Sequence, residues 1–138
     1  MAVIVICKVK GLRLKTKVEK WAKNILNHLG IKGRELGVLL VGDKEIHELN
    51  RQYLGRDRPT NVLAFPMDGP SNRLLGDIVI SVQTAQREAE ERGVSLEEHL
   101  ALLLIHGVLH LLGYDHEKGG KEATKMRKKE KELLKVIL

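Results

Sequence analysis

Cysteine is almost absent from this 138-residue chain, which carries Cys7 alone. One thiol excludes an intramolecular disulfide framework and fits a reducing cytosol. Cys7 lies in an apolar alternating stretch, where a small packed side chain is the expected role. Aromatics are also scarce, with one Trp, two Tyr and one Phe, too few for a platform that stacks bases. Residues 2–7 are apolar but too few to span a bilayer, and no basic segment precedes them as in a signal peptide. No repeat, linker or low-complexity segment interrupts the chain. What is present is 43% hydrophobic and 30% charged, the balance of a globular protein. The length predicts one domain, residues 1–138, able to bury roughly two-thirds of its unfolded surface.

The net charge is +6, which makes polyanions plausible partners. Much of the excess comes from residues 118–135. There Lys121, Lys125, Arg127, Lys128, Lys129 and Lys131 alternate with Glu122, Glu130 and Glu132. Such a mixture reads first as the solvated face of an amphipathic helix, remote from any active centre, and only second as an RNA contact.

Apolar periodicity predicts the order β-α-β-α-β-β-α-α-α. A strand over Ala2–Val9 is followed by a helix over Leu14–Leu29, with Val18, Trp21, Ile25 and Leu29 inward. A strand over Leu36–Val41 leads to a helix capped by Asp43 and running to Leu54, with Ile46, Leu49 and Tyr53 inward. Gly55–Asn61 is a polar loop, and strands follow at Val62–Phe65 and Asp77–Val82. A helix over Gln83–Arg92 stops at Gly93. Ser95 and Glu98 then form a capping box for a helix that is apolar nearly all round through Leu112, hence central and buried. A last helix follows Gly119-Gly120. The pattern is that of an α+β fold, a mixed sheet of about four strands packed with helices, and the histidine-bearing helix resembles that of zincin-like folds.

The chemistry concentrates in the run His106-Gly107-Val108-Leu109-His110-Leu111-Leu112-Gly113-Tyr114-Asp115-His116, or H-x3-H-x2-G-x2-H. Histidines four apart on a helix share a face, so both imidazoles can reach one ion. A glycine after the last turn permits the left-handed conformation that ends a helix and redirects the chain, bringing in a third histidine. Three nitrogens with a fourth position left to water is the catalytic zinc arrangement. Taken singly, a histidine in an apolar helix is usually a hydrogen-bonded core residue. Three of the six histidines within eleven residues, next to Leu100–Ile105 with no polar group to satisfy them, favour the metal. Metalloproteases of the H-E-x-x-H type place a glutamate base directly after the first histidine. Here that position is Gly107, so ordinary peptidase chemistry is disfavoured.

The run at 106–116 resembles the signature H-G-x-L-H-L-x-G-Y-D-H of the YbeY family, metal-dependent ribonucleases of ribosomal RNA maturation and ribosome quality control. Two further family segments are matched in order. One is Asn50 and Tyr53 with Pro59-Thr60-Asn61-Val62-Leu63-Ala64-Phe65-Pro66; the other is Leu75-Gly76-Asp77-Ile78-Val79-Ile80-Ser81. The resemblance covers most of the chain from about residue 45 onward. It implies RNA as substrate, ribosomal subunits or assembly factors as partners, a cytoplasmic location, and no membrane. One departure stands out. The family carries an arginine after the tyrosine, where this chain has Leu54, so Arg56 or Arg58 must substitute or activity must differ.

One divalent ion, zinc first, on His106, His110 and His116 would lower the pKa of a bound water toward ~7 and polarise a phosphoryl oxygen. Arg56 is the candidate to steady the phosphate, with Arg58 beside it; solvated loop charges are the competing reading. Asp115 orients a ligand imidazole or acts as base, the former being the safer assignment. Asp77 reads equally as a support to a ligand or as a turn cap. Tyr114 reads as a hydroxyl over the site or as its cover. Asn50, Thr60 and Asn61 are expected to tie the loop together through backbone hydrogen bonds. The leading expectation is a single-strand endoribonuclease. A metallohydrolase of another substrate class and a non-catalytic ribosome-assembly factor with a structural metal are the alternatives.

Overall fold

The computed structural model describes residues 3–10, 13–67, 73–114 and 119–138. Its elements are β1 (Val3–Cys7), α1 (Lys15–His28), β2 (Glu35–Val41), α2 (Asp43–Leu54), β3 (Val62–Pro66), β4 (Leu74–Ser81), α3 (Val82–Arg92), α4 (Leu96–Leu111) and α5 (Gly120–Ile137). The succession is the expected one, with β4 beginning at Leu74 rather than Asp77. The four strands form one mixed sheet in the order β1-β2-β4-β3. β1 pairs with β2, and β2 with β4, in parallel; β3 runs antiparallel to β4 as an edge strand.

Alternation along the strands assigns two unequal faces. Val3, Val5, Leu36, Val38, Leu40, Ile78 and Ile80 point into the main core, against α1, α4 and α5. Leu39, Val41, Leu63, Phe65 and Val79 point the other way, against Ile46 and Leu49 of α2. That second face is only partly covered, leaving Ile4 and Ile6 exposed. Tyr53 belongs to it as well. Expected to point inward, it is 62% exposed and meets Phe65 edge-to-face at a ring-centroid separation of 5.6 Å. The helical period puts residue 53 on the apolar side of α2, where it borders the uncovered cavity with Ile4, Ile6 and Leu49.

α4 is the central helix, as its all-round apolar sequence predicts: Leu100, Ala101, Leu103, Leu104, Ile105, Val108 and Leu109 are buried. Ser95 starts it by accepting a hydrogen bond from the Glu98 backbone N–H at 3.1 Å. It ends in a Schellman turn, in which the Gly113 N–H bonds the His110 carbonyl and the Tyr114 N–H bonds the Leu109 carbonyl. Gly113 takes φ +94° to make that reversal, a conformation costly for any residue with a Cβ.

Asp43 does not cap α2; Gly42 occupies that position. The Asp43 carboxylate instead accepts from the Ser81 and Thr84 hydroxyls at 2.6 Å each and pairs with Arg87 at 2.9 Å. Its backbone N–H donates to Gln83. One acid thus joins the start of α2 to the β4–α3 junction. Burial alone would raise its pKa, but the Ser81, Thr84 and Arg87 hydrogen bonds and the Arg87 charge outweigh it, so the pKa is lowered. A lowered folded-state pKa contributes stability above the unfolded pKa, near 3.8, and loses it as pH falls through the folded value. Asp43→Ala is therefore expected to cost about 2 kcal/mol at neutral pH, with the difference from wild type shrinking below about pH 4 in urea titrations. A pH-independent difference would show that the acid's charge contributes nothing.

Candidate active site

The three histidines of α4 fall in one stripe: His99, His106 and His110, with Leu103 among them, follow at intervals of four, three and four, the spacing of a single helical face. His106 and His110 present their Nε2 atoms to each other at 3.1 Å, with ring centroids 4.6 Å apart. The Nδ1 atom of His106 lies 2.8 Å from Oε2 of Glu130 on α5. Position 110 is in the last turn of α4, where the partial negative charge of the helix C-terminus favours a nearby cation. Asp115 and His116 lie outside the described residues. Among the described residues, no group of three or more His, Cys, Asp or Glu side chains converges as a metal site.

Both histidines open onto a cleft of about 490 Å³ that runs beside the edge strand β3. Its opposite wall is the end of α2 and the loop after it, with Asn50, Leu54, Arg56, Thr60 and Asn61. Arg56 is thus on the cleft with His106 and His110, whereas Arg58 is not among its lining residues. The loop is pinned at three points. His47 Nε2 meets Asp57 at 2.8 Å, the Asn50 amide donates to the Arg58 carbonyl at 2.9 Å, and the Asn61 amide donates to Glu88 at 3.1 Å. Asn50 thus ties the loop through a backbone carbonyl as expected, whereas the Asn61 amide ties it to a side chain, with the Asn61 Oδ1 accepting from the Val62 N–H at 2.7 Å.

Asp77 is not at this cleft. Strand alternation sends its side chain to the other face of the sheet, over Gly37, into an apolar cavity of about 550 Å³ lined by Ile4, Ile6, Tyr53 and Phe65. Among the described residues it supports no histidine. Tyr114 packs against the main core, with the Lys125 ammonium 5.7 Å from its ring centroid.

Three residues went unread in the sequence. Glu130 belongs to the buried face of α5, because Ala123, Met126, Glu130, Leu133 and Ile137 repeat at intervals of three and four. A carboxylate in that apolar stripe is the signal that could have found it. The last helix is consequently not remote from the histidines, as its alternating charges suggested. Glu88 and His99 form a second pair, 2.8 Å apart, with His99 5% exposed. Arg92 meets the other ring nitrogen of His99 at 3.0 Å. Arginine can only donate, so His99 Nδ1 accepts and Nε2–H donates to Glu88.

The absent base at Gly107 has a packing cause. A Cβ there would approach three carbons of the fully buried Ile78 side chain to 2.9–3.1 Å. The glycine lets α4 lie directly on β4, and a glutamate has no room to start. Overpacking costs about 1–3 kcal/mol, against roughly 1 kcal/mol that leaving glycine returns in helix propensity at best. Gly107→Val is expected to lower the unfolding free energy by about 2 kcal/mol, read by urea denaturation. Unchanged stability would mean that α4 can lift off the sheet.

Two imidazoles on a central helix, an arginine-bearing loop opposite and an edge strand between them define an α+β protein with a hydrolase-type cleft. Residues 6–137 match the family described as Endoribonuclease YbeY. The Endoribonuclease YbeY of Aquifex aeolicus is 51% identical over 122 residues, 87% of this chain and 81% of that protein. That of Persephonella marina is 45% identical over 140 residues, 97% of this chain and 92% of the relative. Among solved structures, the solution structure of TM1509 from Thermotoga maritima superposes with a TM-score of 0.73 at 32% identity, covering 98% of this chain and 88% of that one. The chain belongs to the YbeY family, and its activity is that of a hydrolytic endoribonuclease.

Proposed function

We propose that the chain is a metal-dependent endoribonuclease that cuts single-stranded RNA in ribosomal RNA maturation and ribosome quality control. His106, His110 and His116 hold one divalent ion, with zinc the first candidate. The observation that carries this reading is the 3.1 Å approach of the His106 and His110 Nε2 atoms inside the cleft. Two nitrogens on a tetrahedral zinc at about 2.0–2.1 Å stand roughly 3.3 Å apart, so the pair is already near ligand spacing. When bound, the ion supplies Lewis acidity that activates water near neutral pH and offsets charge on a phosphoryl oxygen.

The chain's own residues do the rest. Arg56 reaches the cleft from the pinned loop and contacts a phosphate bidentately. Edge strand β3 presents a backbone rim along which an extended strand of RNA can lie. Asp115 orients a ligand imidazole. The net charge of +6 favours the polyanion. Ribosomal RNA as substrate, and ribosomal subunits or assembly factors as partners, follow from the family. The cytoplasm follows from that resemblance and from the single cysteine. No single helix among the described residues is long and apolar enough to cross a membrane.

Alanine at His106 or His110 is expected to lower the metal content of the purified protein, measured by elemental analysis. Full retention of metal in both variants would remove the assignment. Unstructured peptides should not be turned over, since position 107 holds no base; efficient metal-dependent peptidase activity would move the reading to another substrate class.

Cleavage of single-stranded RNA should need the metal and weaken with added salt, because cationic contacts release counterions. Arg56→Ala should slow it by about 10–100-fold, the worth of a charged hydrogen bond, and Lys128→Ala far less. Equal losses would mean that bulk charge is being measured. No cleavage by metal-loaded protein at any salt concentration would favour the assembly factor.

A further inference from the structure

We infer that Glu130 is a positioning residue of the metal centre, fixing the tautomer and orientation of His106 from α5. The inference rests on the metal reading above and extends it to a helix that supplies no ligand. The carboxylate acts only as an acceptor when ionised, so the 2.8 Å contact requires the proton of His106 on Nδ1. Nε2, the atom that faces His110 at 3.1 Å, is then left to present its lone pair to an ion. A carboxylate behind a ligand imidazole also raises its basicity and holds the ring against rotation.

The location supports the assignment over that of a surface ion pair. The Glu130 side chain is 16% exposed and that of His106 25%. Glu130 occupies the inward stripe of α5 between Met126 and Leu133, both buried. Glu130 and His106 line one pocket together with Glu88, Arg92 and His99. The neighbouring pair shows the opposite arrangement. His99 is also held by a glutamate, but through Nε2–H, with Arg92 on Nδ1. In His99 the glutamate takes Nε2, whereas in His106 it takes Nδ1, the ring nitrogen that faces away from His110.

The test uses zinc alone as probe, titrated into the purified full chain in competition with a chromophoric chelator. Wild type, Glu130→Gln, Glu130→Ala and His110→Ala are compared, with melting midpoints of the metal-free proteins recorded alongside. Glu130→Ala is expected to weaken zinc binding by about 10–100-fold. Glu130→Gln, which keeps a neutral acceptor oxygen, should recover part of that loss. In zinc-loaded wild type, nitrogen NMR of the His106 ring should show a protonated Nδ1 and a metal-bound Nε2.

Zinc affinity equal to wild type in both folded Glu130 variants, or zinc on Nδ1 of His106, overturns the inference. If Glu130→Ala does not fold, Glu130→Gln decides: weaker zinc binding at an unchanged metal-free midpoint supports it, and unchanged binding overturns it. Undiminished zinc binding by His110→Ala overturns the metal reading itself, a different result from loss in His110→Ala with none in the Glu130 variants.

Discussion

The contact on which the rest of the site depends is the one between α4 and β4, where Gly107 lies against Ile78 without a Cβ between them. Helix position fixes side-chain position: once the backbone of α4 is seated on the sheet, residues on either side of 107 have no freedom about where they emerge. His106 and His110 come out beside β3, the edge strand, where the sheet ends and a cleft can open. Moving the helix outward by even a methyl group would carry both imidazoles with it. The glycine that removes a protease's general base is thus also the residue that places the histidines. Interiors are packed too densely for the two roles to be separated.

The second wall of the cleft is built differently, from a loop with no core of its own. Its order comes from three hydrogen bonds that tie it to two helices: His47 and Asn50 of α2 hold Asp57 and the Arg58 carbonyl, and Glu88 of α3 holds Asn61. Each is modest in energy, because partly exposed polar pairs exchange protein for water. Together they define the conformation of residues 55–61. Glu88 also holds His99 of α4, so the loop is referenced to the same helix that carries His106. One wall is set by apolar packing and the other by polar links to it, which keeps the cleft's width a property of α4.

What was legible in the sequence is what local pattern encodes. Strand alternation, the apolar girth of α4, the stop at Gly113 and the i, i+4 histidines all depend on neighbours within one or two turns, and each is found in place. What was not legible depends on partners distant in the chain. Asp43 precedes a helix and looks like a cap, but Ser81, Thr84 and Arg87, some forty residues on, offer it two hydroxyls and a cation. Tyr53 satisfies the helical period, yet it stays 62% exposed beside Phe65 on the partly covered face. Asp77 sits in a family-like segment, and only the pleat of β4 decides which face it takes. Glu130 was masked by its surroundings, since α5 alternates Lys and Glu on its outer side and the inward acid differs only in register.

The replacement at Leu54 can be placed on the same footing. Leu54 is the last residue of α2, and Gly55, in the left-handed conformation, turns the chain so that the Arg56 N–H returns to the Asn50 carbonyl at 3.2 Å. Positions 54 and 56 both line the cleft opposite His106 and His110. A guanidinium on a long, flexible stem spans several ångströms from its Cα, more than enough to make a shift of two residues along one wall immaterial to its reach. The cost is entropic. An arginine on a helix terminus is oriented by the helix, whereas one on a loop must be oriented by the loop's own ties. The three pins on residues 55–61 order the backbone that carries Arg56 along the cleft wall.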